Sequence, residues 1–213
     1  MTRRAHWVGL HLAIVGAAGS LAAQSPLVSG GATVVSVRAQ SDDSARVGGT
    51  VLGGLATLRF GRLDVEGRYL QGVLQPQDGV SPRRDFVQGQ LALGFHATPW
   101  LVAQTAARAR AYVTPAGTER WVVWLAGARV ETPLVGTTVR GELGLWTALA
   151  LSANVGSTQG REGRGGDAGV TLQLPSRPWW FRLGYGIDRN TVSGAGRRET
   201  VEEFTVTVGV QRR

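Results

Sequence analysis

The stretch Arg62-Leu-Asp-Val-Glu-Gly-Arg-Tyr-Leu-Gln-Gly-Val-Leu74 decides the fold class. Leu63, Val65, Gly67, Tyr69 and Val73 share one parity; Asp64, Glu66, Arg68 and Gly72 share the other. In an extended chain successive side chains point to opposite faces, so this alternation predicts a strand with one apolar and one polar face. Working outward, the rhythm returns at Asp85–His96, Leu101–Val113, Thr137–Leu151 and Trp179–Arg189. It is weaker at Ala32–Gln40, Gly48–Phe60, Arg120–Glu131 and Asp167–Leu174. It closes at Glu202–Gln211, where Phe204, Val206, Val208 and Val210 alternate with Thr205, Thr207 and Gly209. Ten strands are expected, or eight if a weak hairpin is fused or lost. No segment carries a helical apolar stripe, which argues against an α/β or helical fold.

The linkers alternate in length. Tight ones fall around Gly61, Pro99, Pro133 and Pro175–Pro178, and longer polar ones around Asp42, Asp78, Pro115, Gly160 and Gly194. This is the connectivity of a closed, antiparallel, up-and-down transmembrane barrel with short periplasmic turns and longer extracellular loops. All eight prolines (Pro26, Pro76, Pro82, Pro99, Pro115, Pro133, Pro175, Pro178) fall outside the expected strands, as suits a residue that cannot donate to a ladder. Ser157–Gly166 is expected to be an outer loop.

Alternation alone leaves two barrels open. A secreted soluble one, lipocalin-like and binding a small apolar ligand, turns its apolar face inward; a membrane one turns it outward to lipid. Three features favour the membrane. Charges such as Glu66, Arg108, Glu142 and Arg182 sit near strand centres, which fits a narrow polar interior. Aromatic residues favour strand ends and predict a girdle at the two interfaces: Phe60, Phe95, Trp100, Trp179 and Trp180 by the short turns, and Tyr69, Trp124 and Phe204 nearer the long loops. Strands of about ten residues, tilted by ~45°, match a bilayer.

The N-terminus reads as a secretory signal peptide over residues 1–23. Arg3 and Arg4 supply the positive start, Trp7–Ala18 an apolar run too short to span as a helix, and Ser20–Ala23 a small-residue cleavage site. Residues 24–213 are then one barrel domain. There is no cysteine, which excludes disulfides and thiolate metal sites. The chain carries a formal charge of +8, all its basic residues being arginine. Those arginines are spread over strands and both rims with no basic stripe, so nucleic acid is not an expected partner.

With its signal peptide, its alternating strands and its short Pro99-Trp100 and Pro178-Trp179-Trp180 turns, the chain resembles the small bacterial outer-membrane β-barrel proteins of the OmpA-, OmpX- and OmpW-like class from about residue 31 to residue 213. The resemblance is one of pattern. It implies location in the cell outer membrane and insertion by the barrel-assembly machinery, which in that class reads a last strand closed by an aromatic residue. The sequence departs from the class here, ending Gln211-Arg212-Arg213.

Parity assigns to the lumen Arg38, Arg59, Asp64, Glu66, Arg68, Arg108, Arg110, Arg129, Glu131, Arg140, Glu142, Arg182 and Asp188. Such a set either interlocks as a plug or lines a narrow, anion-favouring pore. The outer rim gathers Asp42, Asp43, Arg46, Asp78, Arg83, Arg84, Arg161, Arg164, Arg189, Arg197 and Arg198. Its arginines suit the phosphates of an anionic glycolipid. Beyond the signal segment the one histidine is His96, beside a short turn, where it reads as a structural hydrogen-bond donor. No metal-ligand spacing, nucleophile elbow or phosphate loop is present. The expectation is a monomeric, non-enzymatic barrel without cofactor, acting as a structural or surface-interaction protein or as a narrow Arg-lined pore, with lipid as its partner.

Overall fold

A computed structural model describes residues 26–41, 46–77, 79, 82–154, 161–192 and 197–212. The signal segment 1–23, Asp42, Asp43, Asp78 and residues 157–160 lie outside them. Ten strands follow in chain order: β1 (Leu27–Ser41), β2 (Arg46–Phe60), β3 (Leu63–Pro76), β4 (Arg84–His96), β5 (Leu101–Thr114), β6 (Gly117–Val135), β7 (Val139–Ala153), β8 (Arg161–Gln173), β9 (Trp179–Val192) and β10 (Arg197–Arg212). Each pairs antiparallel with its neighbours in sequence, and β1 pairs with β10 to close the ring. Closure gives every strand two partners, which backbone amides need where no water can reach them.

The outer wall settles the choice between a soluble and a membrane barrel. Leu52, Leu91, Leu93, Leu143, Leu145, Leu183 and Val208 face outward and are exposed, Leu145 at 65 %. A continuous belt of this kind, on a barrel with no open edge, is a lipid-facing surface.

Four expectations are corrected at the strand ends. The linker at Pro115 is the two-residue turn Pro115–Ala116, because β5 and β6 continue pairing to Thr114 and Gly117. Arg161–Gly166 belongs to β8 and not to a loop. Its glycines read as a flexible segment, but the Cβ that Gly165 lacks would overlap the Trp146 ring, so the strand is glycine-rich to admit its neighbour's indole. Pro76 and Pro133 lie inside β3 and β6. Pro76 ends its strand, and Pro133 sits at a register shift where Leu134 bulges out over Gly141. Proline is tolerated at such places. Finally, Arg38 faces outward, paired across from Glu202 on β10, and not into the lumen.

The reason Arg38 was misplaced is general to this barrel. In β1 the outward residues Val28 and Val34 give way to Ser36, Arg38 and Gln40, while the inward residues change from Ser29 and Thr33 to Val35, Val37 and Ala39. Parity holds along the strand, but polarity exchanges between the faces. The strands run 13 to 19 residues, beyond the ~9–11 that a bilayer requires. Toward the long-loop rim the barrel therefore becomes apolar inside and polar outside, as a soluble barrel is. A second bulge assists on β7. Trp124 pairs with Ala150 and Leu125 with Ala148, which leaves Leu149 unpaired and 68 % exposed. Inward positions switch there from Trp146 and Ala148 to Leu151 and Ala153.

Candidate functional site

The lumen is the candidate site, and it has three levels. At the short-turn rim it opens as a polar vestibule of about 870 Å³. Its walls carry Arg59, Glu66, Arg129, Glu131, Arg140 and Glu142, with Trp180 and the 174–178 turn at the mouth. Arg59 grips Asp64 through both carboxylate oxygens, at 2.6 and 2.9 Å. His96 Nε2–H donates to the same carboxylate at 2.7 Å. Arg129 binds Glu131 at 3.0 Å, and Arg182 binds Glu142 and reaches Asp167 at 3.6 Å. Arg140 lies exposed at the rim and makes no ion pair with any described residue.

Deeper in, charged side chains cross the lumen as struts. β5 and β10 lie five strands apart in the ring of ten, on opposite walls. Arg110 on β5 nevertheless donates to Glu199 Oε2 on β10 at 3.0 Å, to Asp188 Oδ2 on β9 at 2.7 Å, and to Gln88 Oε1 beside it at 2.7 Å. Tyr112 donates its hydroxyl to Glu199 Oε1 at 2.7 Å, and Asn190 Nδ2 donates to Oε2 at 3.0 Å. Arg108 pairs with Asp188, donates to Gln90 at 2.7 Å and lies over the Trp146 ring. Arg68 on β3 binds Glu203 on β10 at 2.9 Å, and Gln88 Nε2 donates to the other Glu203 oxygen at 2.9 Å. Three arginines thus meet three acids, and the struts are neutral as a set. Lone charges at this depth are costly; paired and fully hydrogen-bonded ones are tolerated and fix geometry.

Around and beyond the struts, toward the long-loop rim, the lumen is filled with apolar side chains. Val35, Val37, Val51, Leu70, Leu74, Phe86 and Trp121 from five strands are almost completely buried and form one cluster. Phe86 and Tyr112 pack tilted with ring centroids 5.6 Å apart. Among the described residues no group of three or more metal-ligating side chains converges.

Of the thirteen residues assigned to the lumen, Arg38 faces outward and eleven face the struts or vestibule: Arg59, Asp64, Glu66, Arg68, Arg108, Arg110, Arg129, Glu131, Glu142, Arg182 and Asp188. Arg140 reaches only the rim. The aromatic set divides. Phe60, Tyr69, Phe95, Trp100, Trp124, Trp179 and Phe204 are exposed on the outer wall. Tyr69, Trp124 and Phe204 lie near mid-strand, where the outer face turns polar, as at Gln71 and Glu202. Trp180 departs from the girdle. It faces inward and is buried, its ring lying against Gly209, because it shares the inward parity of Arg182 and Gly184. Sequence parity missed Glu199 and Glu203. Glu203 lies within the expected last strand, on the inward parity of Thr205 and Thr207, and extending that parity back past Glu202 reaches Glu199.

No protein-family model matches the chain, and no curated protein matches it in sequence. Solved structures do. The outer membrane protease OmpT from Escherichia coli is 8 % identical with a TM-score of 0.55, over 90 % of this chain and 99 % of that one. Neisserial surface protein A is 14 % identical with a TM-score of 0.41, over 88 % and 99 %. Ail, the attachment invasion locus protein of Yersinia pestis, is 8 % identical with a TM-score of 0.40, over 89 % and 100 %. The likeness to OmpT is one of fold. The chain is an outer-membrane-type β-barrel.

Proposed function

We propose that this protein is a sealed, non-enzymatic barrel of the outer membrane that works through its surfaces rather than through its lumen. The observation that carries this reading is the apolar cluster in the outer half of the lumen, where Val37, Leu74, Phe86 and Trp121 are almost fully buried. An ion crossing that layer has no polar partner. The neutral struts beneath it leave no arginine excess at their level to favour anions. On this reading the vestibule is a blind pocket entered from the periplasmic side.

The name of OmpT describes that protein as a protease. Fold at 8 % identity brings no activity with it. Acid–base catalysis usually rests on a positioned histidine or carboxylate, and here His96 is bonded to Asp64 at the short-turn end. Closure by β1 and β10 leaves no strand edge for another copy to pair with, which supports a monomer surrounded by lipid and inserted by the barrel-assembly machinery.

Planar bilayer recording tests the seal. The wild type is expected to show no conductance steps across a range of salt. Phe86→Gly combined with Trp121→Gly thins the apolar layer and is expected to open a small conductance. Steps in the wild type overturn the proposal.

A further inference from the structure

On the outer wall of β7, β8 and β9 two grooves meet at a pair of arginines. The outward positions of β8 are Arg164, Gly166 and Ala168, flanked by Leu143 and Leu145 on β7 and by Tyr185 and Ile187 on β9. With little side chain on the middle strand, its neighbours stand as the banks of an apolar groove of about 600 Å³. Above it, toward the long-loop rim, lies a polar groove of about 830 Å³ reaching Thr191, Arg198 and Thr200. Arg164 and Arg189 are the two residues that line both.

These two arginines are direct cross-strand partners. Both are exposed, and neither makes an ion pair or hydrogen bond with any other described residue. Like charges placed opposite one another on a sheet destabilise it. Two guanidinia side by side are relieved by an anion between them, and a phosphate meets their planar forks with paired hydrogen bonds. Of the acids lining the upper groove, Glu162 stands above the pair, in the row of Thr191 and Arg198, and Glu202 lies on β10 across from Ile187, one row below the pair.

We propose that this junction is a binding site for one phosphorylated acyl lipid of the surrounding leaflet. The phosphate sits between Arg164 and Arg189, and an acyl chain lies in the groove bounded by Leu143, Leu145, Tyr185 and Ile187. Charge above and apolar surface below, joined at one point, match an amphiphile; a free anion would use only the upper half. The site lies outside the lumen, so it stands or falls independently of the seal.

Native mass spectrometry of the full chain in detergent, titrated with dimyristoyl phosphatidic acid, reads this site. The wild type is expected to retain one lipid, and Arg164→Gln combined with Arg189→Gln to weaken that binding by about tenfold or more. Arg46→Gln with Arg120→Gln removes the same charge from exposed outward positions on β2 and β6 and is expected to leave it unchanged. Dimyristoyl glycerol, which lacks the phosphate, and inorganic phosphate, which lacks the chains, are each expected to bind far more weakly. Ala168→Leu fills the groove and is expected to weaken the lipid without affecting inorganic phosphate. Equal losses in the two arginine pairs indicate diffuse attraction and overturn the site. Competition by inorganic phosphate as strong as by the lipid overturns the role of the groove.

Discussion

Arg110 and Glu199 join opposite walls of the barrel, their side chains 3.0 Å apart and 2 % and 4 % exposed. Glu199 also accepts from Tyr112 and Asn190, so one carboxylate ties β5, β9 and β10 together. Glu199→Ala leaves the guanidinium short of a partner in a dry setting and is expected to cost about 3 kcal/mol. Tyr112→Phe removes one hydrogen bond and is expected to cost about 1 kcal/mol. Urea unfolding in lipid vesicles measures both. An Arg110→Met, Glu199→Leu double variant less damaged than either single one confirms that they act as a pair.

Gly165 and Gly144 face the lumen side of neighbouring strands, yet a methyl group meets different obstacles at each. At Gly165 it overlaps the Trp146 ring, over which Arg108 lies, and also the Ile187 backbone carbonyl. At Gly144 the close atom is the free end of the Asp167 carboxylate, at 2.5 Å. A carboxylate rotates away; a carbonyl in a ladder does not. Gly165→Ala is expected to cost about 1–3 kcal/mol, and Gly144→Ala under about 0.5 kcal/mol. The shift in unfolding midpoint separates them.

These glycines also show how far the barrel is legible in its sequence. Strand number, order and the facing of most charged residues follow from alternation, because parity is a property of the extended backbone. Trp180 and Arg38 were misplaced because hydrophobicity is not. Trp180 is large and apolar but lies on the inward parity, packed over Gly209. Arg38 is charged but lies on the outward parity above the lipid belt. The error at Arg38 comes from assuming that each face keeps one polarity along the whole strand; the error at Trp180 comes from placing an aromatic residue by its position at a strand end without its parity. In β1 and β2 the exchange occurs mid-strand, where Val35 and Val51 become inward and buried. The struts were half visible. Arg108, Arg110 and Asp188 follow from parity, and Gln88 is simply Arg110's neighbour on β4, but the partner Glu199 depends on which walls closure brings face to face.

The same exchange of polarity predicts how an outward charge is tolerated at each depth. Leu183 sits in the belt, directly opposite Val206 and Val170 on the adjacent strands. Gln75 lies on the outward parity of β3, six residues beyond Tyr69 toward the long-loop rim. Leu183→Arg is expected to cost about 2–4 kcal/mol and Gln75→Arg about 0–1 kcal/mol. Unfolding in vesicles reads the difference. Equal costs place the membrane edge elsewhere.

Because the chain has no cysteine, a single introduced thiol reports on its own position alone. Thr57 lines the vestibule, while Val37 lies buried in the apolar cluster. With the barrel reconstituted in vesicles, Thr57→Cys is expected to react with a charged maleimide supplied at the short-turn rim and to resist the same reagent at the other rim. Val37→Cys is expected to resist it from both. Its burial, not chemistry, provides the protection, so urea unfolding restores the reaction and serves as the control. If Thr57→Cys is labelled equally fast from either rim, reagent passes through the layer of Phe86 and Trp121, and the lumen is an open path.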